Sequence, residues 1–100
     1  MRCSTTMIEG LNFGFDIENP ITLTSIPASY SYLKQLVLEC GSEISYKRKY
    51  SKNRIDVWDI YYKDTGTYVV TLYINCYADN DTDKCPIGFK FREINHQTLH

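Results

Sequence analysis

The stretch that decides the fold is residues 54–77, RIDVWDIYYKDTGTYVVTLYINCY. Apolar and polar side chains alternate on both sides of Asp64-Thr65-Gly66, where the glycine supplies the left-handed conformation that a short hairpin loop needs. Two antiparallel strands, 54–63 and 67–77, are therefore predicted. Pairing Lys63 with Thr67 sets the register, which places Trp58 opposite Leu72, Ile60 opposite Val70, Tyr62 opposite Tyr68 and Asp56 opposite Ile74.

This register divides the hairpin into two faces of different chemistry. The predicted core face holds Trp58, Ile60, Tyr62, Tyr68, Val70, Leu72, Ile74 and Cys76. The opposite face holds Ile55, Val57, Asp59, Tyr61, Lys63, Val69, Thr71, Tyr73, Asn75 and Tyr77. This second face is too polar for a full core and too aromatic for a surface that contacts only water. A further strand over 43–51 is expected beside the hairpin, with Ile44, Tyr46 and Tyr50 on the core face.

The apolar core face must be buried against another element, and the segment before the sheet is predicted to form a helix that can do this. Apolar side chains recur there at the helical spacing i, i+3, i+4 and i+7, namely Leu33, Leu36, Val37 and Cys40. Ser29 can cap the start and Gly41 follows the end, so we predict a helix over 29–40. The run 36–38 also fits the middle of a strand, and the pattern alone does not choose between the two.

The remaining segments complete an α+β architecture. Residues 11–26 alternate like strands around the break at Asn19-Pro20 and predict an N-terminal β segment. Residues 88–92 predict a short last strand. The predicted fold is thus one amphipathic helix packed on an antiparallel meander. A chain of 100 residues allows one domain, 1–100, and the ends, 1–7 and 94–100, are expected to fray.

Composition excludes several classes of protein. The chain is 43% hydrophobic with a formal net charge of -1, which excludes a disordered tail and a strongly basic nucleic-acid-coating protein. The N-terminus has no apolar core of a secretory signal, and no apolar run is long enough to span a membrane. We therefore expect a cytoplasmic protein without membrane contacts. Its four cysteines are expected to be reduced, with Cys40 and Cys76 buried as small apolar side chains.

The near-zero net charge conceals a basic segment. Residues 46–54 carry five positive charges and no negative one, and seven of the nine tyrosines lie between 46 and 77. Strand alternation places two lysines beside three tyrosines on the face opposite the core. The predicted binding residues are Lys47, Lys49, Tyr61, Tyr73 and Tyr77.

Three interpretations of this Tyr/Lys face follow from its chemistry. Tyrosine is enriched at the centres of protein interfaces, where surrounding charges steer the encounter, so a protein partner is the first. A single-stranded nucleic acid, held by base stacking and by the basic segment 47–54, is the second. The third is structural, because lysines on an edge strand discourage edge-to-edge aggregation.

Catalytic, metal-binding and cofactor-binding patterns are missing from the sequence. The two histidines are His96 and His100, and strand alternation puts Asp56 and Asp59 on opposite faces. The cysteines are not spaced as zinc ligands, and there is no glycine-rich phosphate loop. We therefore predict a small non-enzymatic binding module of inhibitor, immunity or adaptor type, with no cofactor and with homo-oligomerisation left open.

Overall fold

The computed structural model describes residues 12–92, so the predicted frayed ends, 1–7 and 94–100, and residue 11 lie outside the described part of the chain. Its elements, in chain order, are β1 (Ile21–Thr22), α1 (Ile26–Gln35), β2 (Leu36–Leu38), β3 (Ile44–Lys52), β4 (Ile55–Tyr62), β5 (Tyr68–Asn75) and β6 (Phe89–Phe91). A four-stranded sheet has the order β1-β5-β4-β3, in which β1 is parallel to β5 and the other pairs are antiparallel. β2 and β6 form a second, antiparallel pair. The predicted α+β class is confirmed.

One apolar core lies between α1 and the sheet. Its buried members include Leu33 of α1, Leu36 of β2, Trp58 and Ile60 of β4 and Leu72 of β5. Tyr30 of α1 meets Trp58 edge to face, with ring centroids 5.4 Å apart. No helix within residues 12–92 has the length and apolar content to cross a lipid bilayer.

The helix begins and ends earlier than the predicted range 29–40. Ser25 is the N-cap, and its hydroxyl oxygen accepts a hydrogen bond from the Ala28 amide at 3.1 Å. Ser29, the predicted cap, is buried inside the helix. The helix stops at Gln35 because Leu36 turns to an extended conformation, and 36–38 pairs with β6 instead. The strand alternative for 36–38 was therefore correct, since the pairing with a distant segment overrides a short helical pattern.

The predicted β segment over 11–26 is largely a turn in its described part. Only Ile21–Thr22 forms a strand, and the Gly14 amide donates to the Asn19 carbonyl at 2.8 Å. Gly14 has φ +83°, and a Cβ there would lie 2.9 Å from Cγ of Pro86, so this close turn requires glycine. The Gly14 carbonyl accepts from the Tyr73 amide at 2.8 Å. The turn therefore lies along the edge of β5.

The hairpin register is confirmed in its central part and shifts at the turn. Asp56 pairs with Ile74, Trp58 with Leu72 and Ile60 with Val70 as predicted. Tyr61, not Tyr62, pairs with Tyr68, because Val69 is the extra residue of a β-bulge. The predicted pairing of Tyr62 with Tyr68 is wrong, and Tyr68 lies 54% exposed, outside the core.

A second bulge changes the face that the end of β3 presents. Arg48 pairs with Trp58, but Tyr50 pairs with Val57, so Lys49 is the extra residue. The bulge is followed by a two-residue turn at Asn53 and Arg54, whose φ angles of 51° and 69° are those of a type I′ hairpin turn. The prediction that Tyr50 faces the core is wrong, whereas Tyr46 packs against the core as expected.

Candidate interaction surface

The sheet surface opposite α1, here called the outer face, is built by β3, β4 and β5. Paired residues of neighbouring strands share a face, so the register identifies its members. They are Ser45, Lys47, Tyr50, Lys52, Ile55, Val57, Asp59, Tyr61, Tyr68, Thr71, Tyr73 and Asn75. Lys47, Tyr61 and Tyr73 of the predicted binding residues therefore lie together on one surface.

The other two predicted binding residues lie at the margins of this face. Lys49 is the exposed extra residue of the β3 bulge, directly beside Tyr50. Tyr77 follows the end of β5 and is 58% exposed. Its ring lies under the Arg54 guanidinium, whose central carbon is 5.7 Å from the ring centroid. Tyr77 thus belongs to the β3–β4 turn end of the sheet.

A buried valine lies between two tyrosines on the outer face. Val57 is 1% exposed, although it points away from α1. Its two cross-strand neighbours are Tyr50, which is 49% exposed, and Tyr73. Tyrosine side chains next to a buried apolar residue are typical of the composition of protein interface cores.

Hydrogen bonds order the tyrosines at the other end of this face. The hydroxyls of Tyr68 and Thr71 are 2.7 Å apart, and Thr71 donates to an Asp59 carboxylate oxygen at 2.8 Å. Tyr61 and Tyr68 pack edge to face with ring centroids 6.0 Å apart. Because these rings are already held in place, less side-chain entropy is lost when a partner covers them.

The basic segment forms the open side of the sheet. Its five charged side chains, Lys47, Arg48, Lys49, Lys52 and Arg54, are all exposed. The Arg48 guanidinium lies 3.8 Å from an Asp56 carboxylate oxygen. Within residues 12–92, the three lysines of this segment form no ion pair. Their charge is available to an acidic partner.

Asp56 is the buried carboxylate beneath this basic segment, at 6% exposure. The Ser51 hydroxyl donates to it, and the Cys76 thiol lies 3.7 Å from its second oxygen. Burial, followed by the Asp56 charge, raises the pKa of the Cys76 thiol above its ordinary value. A protonated, buried thiol is a poor nucleophile. A surface cleft of about 480 Å³ lies beside the outer face, and it is lined by Ser51, Arg54, Asp56 and Tyr77.

The cysteines of the described residues are all free thiols. Cys76 is buried as predicted, but Cys40 is exposed, because the chain leaves the helix five residues before it. A hydrogen bond from Ser42 lowers the pKa of Cys40. Between residues 12 and 92, no three His, Cys, Asp or Glu side chains converge as a metal site.

Tyr50 and Tyr68 are the outer-face residues that sequence reasoning missed. Both were assigned to the core by simple alternation, and each reaches the outer face through a bulge of one residue. One signal was available for Tyr50. A two-residue turn at Asn53-Arg54 pairs Lys52 with Ile55, which places Tyr50 opposite Val57. Comparison of the chain with protein-family models, curated proteins and solved structures finds no match.

Proposed function

We propose that this protein is a small non-enzymatic binding module, of inhibitor, immunity or adaptor type, that binds a protein partner on its outer face. The observation that carries the proposal is the concentration of four tyrosines on one sheet face, where Tyr50 and Tyr68 are about half exposed and Tyr61 and Tyr73 are partly exposed. Tyrosine offers a large, rigid contact area with a polar end, and it is among the residues that most often dominate interface energetics. Lys47 and Lys49 form a charged rim that steers an acidic partner.

The size of the outer face limits what it can do alone. Strands of eight or nine residues at about 3.3 Å per residue and about 4.8 Å apart span roughly 27 by 14 Å. This is roughly 400 Å² in projection, about half of the ~800 Å² that one partner contributes to a standard interface. A stable complex therefore needs contacts beyond the face itself.

A single-stranded nucleic acid is the alternative partner, and two observations weigh against it. Asp59 lies opposite Lys47 in the register and Asp56 lies beside Arg48, and these carboxylates repel a phosphate backbone, whereas a protein can place charges of both signs against them. Tyr61 and Tyr68 are packed against each other edge to face, which leaves less ring surface for base stacking. Both features suit a protein partner with mixed polar contacts.

The proposal is tested by affinity capture from the organism of origin with matched variants. The outer-face variant carries Tyr50→Ser, Tyr68→Ser and Tyr77→Ser, because these three tyrosines are the most exposed of the surface. The control carries Ile26→Ser and Ile87→Ser. These are exposed large apolar side chains on α1 and in the loop before β6.

We expect one specific protein to be captured by the wild type and the control variant and lost with the outer-face variant. Equal capture by all three chains would contradict the proposal. A gel shift with single-stranded DNA and RNA at low salt distinguishes the alternative. Binding that falls steeply with salt and depends on Lys47 and Lys49 would support a nucleic-acid partner instead.

The proposal includes a cytoplasmic location. It is supported by the free thiols of Cys40, Cys76 and Cys85, which suit a reducing compartment.

A further inference from the structure

The open edge of β3 offers hydrogen-bonding groups as well as charge. β3 is the last strand of the four-stranded sheet, and the side chains from Lys47 to Lys52 are all exposed. Among residues 12–92, no strand pairs with the side of β3 that faces away from β4. A strand edge of this kind is a template for an added strand.

The register shows which backbone groups point outward. The Lys63 amide donates to the Glu43 carbonyl at 3.1 Å, and bonded pairs alternate along an antiparallel ladder. Ser45 and Lys47 therefore exchange hydrogen bonds with β4. Tyr46 and Arg48 are the alternate residues of the ladder. Their backbone N–H and C=O groups lie in the plane of the sheet and point away from β4, toward the open edge.

Charge selects the kind of strand that can use these groups. Two copies of β3 placed edge to edge would bring two sets of positive side chains together, so self-pairing is disfavoured. An acidic strand reverses the sign of this interaction. The bulge at Lys49 twists the strand, so the regular part of the edge is the short run from Tyr46 to Arg48.

We infer that an acidic, extended segment of the partner protein adds to the edge of β3 as a fifth strand of the sheet. The inference rests on the proposed function and supplies the contact area that the outer face lacks. Side chains of the added strand would lie beside Tyr46, Lys47 and Arg48 in turn. Tyr46 packs against the core, so we expect an apolar residue of the added strand opposite Tyr46 and acidic residues opposite Lys47 and Arg48.

The expected preference for acidic segments is tested by peptide selection. A displayed library of random short peptides is selected for binding to the immobilised full chain. We expect enriched peptides to carry two acidic residues next to an apolar one. Binding should be strongly weakened with Lys47→Gln plus Arg48→Gln and kept with Lys34→Gln plus Lys90→Gln, which changes the net charge equally at exposed sites elsewhere. Enrichment of peptides without acidic residues, or of none, would overturn the inference.

Amide hydrogen exchange of the full chain with the best selected peptide tests the strand pairing itself. The amides of Tyr46 and Arg48 should exchange about tenfold more slowly at a peptide concentration about ten times the dissociation constant, since about one molecule in eleven is then unbound. The amides of Ser45 and Lys47 already bond to β4 and serve as the control. Arg48→Pro should weaken binding more than Arg48→Ala, because only proline removes the outward N–H.

The outcomes separate this inference from the proposed function. If the peptide binds and perturbs Tyr50 and Tyr68 without protecting the Tyr46 and Arg48 amides, strand addition is wrong and the outer face remains a binding surface. If the amides are protected while partner capture is insensitive to the outer-face tyrosines, the edge alone is the site and the proposed function of the face is wrong.

Discussion

Tyr46 and Tyr50 lie four residues apart on β3, and the bulge at Lys49 sends them to opposite faces of the sheet. Tyr46 packs edge to face against Trp58, with ring centroids 5.7 Å apart, and contributes to the core. Tyr50 is 49% exposed beside Val57. Replacing each tyrosine with alanine therefore measures whether the bulge is present in solution.

The expected costs differ because the two rings bury different areas. Truncating a mostly buried tyrosine to alanine removes about 100–150 Å² of buried surface. This loss lowers the free energy of unfolding by about 2–4 kcal/mol. Tyr46→Ala should cost this amount, including the ring contact with Trp58. Tyr50→Ala should cost about 1 kcal/mol or less, because half of the ring already contacts water.

The assay is urea unfolding followed by the fluorescence of Trp58, the single tryptophan of the chain. With a slope of about 1.5 kcal/mol per molar urea, the midpoint should fall by about 1.3–2.7 M for Tyr46→Ala and by less than about 0.7 M for Tyr50→Ala. Equal losses for the two variants, or a larger loss for Tyr50→Ala, would refute the bulged register. Tyr50 would then face the core and leave the binding surface.

Two further predictions concern the helix that covers the core. Ser25→Ala removes the hydroxyl that accepts from the Ala28 amide and should cost about 1 kcal/mol in thermal unfolding, whereas no change would place the helix start elsewhere. Burial raises the pKa of Tyr32, whose hydroxyl donates to the Lys84 carbonyl at 2.5 Å. The hydroxyl of Tyr32 therefore loses its proton at a lower pH in the unfolded chain than in the folded one. The free energy of unfolding should fall as the pH rises above about 10, by up to about 1.4 kcal/mol per pH unit. Tyr32→Phe should be less stable at neutral pH yet show a shallower alkaline decline, the remainder coming from Cys76 and Cys85, whose pKa values burial also raises. Urea midpoints at several pH values would show this, and an unchanged decline would contradict the assignment.

Alternation was sufficient to predict the centre of the sheet from the sequence. Trp58, Ile60 and Leu72 carry a strict period of two, and each pairing predicted for them is present. Such a pattern fixes register because a slip of one residue would move every apolar side chain to the other face. The α+β class followed from the same hairpin and the helical segment before it.

The bulges and the helix ends could not be predicted in the same way. An extra residue at Lys49 or Val69 changes no local preference, and its position depends on how the strands twist against each other. The segment 36–38 is apolar in either conformation, and only its pairing with β6, more than fifty residues away, makes it a strand. Because each bulge moves a tyrosine, alternation alone did not predict the composition of the outer face.

The most direct test of the outer face is the dissociation constant of the captured partner, measured by titration calorimetry with purified proteins. The outer-face variant, with Tyr50→Ser, Tyr68→Ser and Tyr77→Ser, should bind at least about 100-fold more weakly. This factor corresponds to a loss of roughly 1 kcal/mol or more of binding free energy for each tyrosine. The control variant with Ile26→Ser and Ile87→Ser should bind like the wild type. A dissociation constant of the outer-face variant within about threefold of the wild-type value would contradict the assignment of this face as the binding surface.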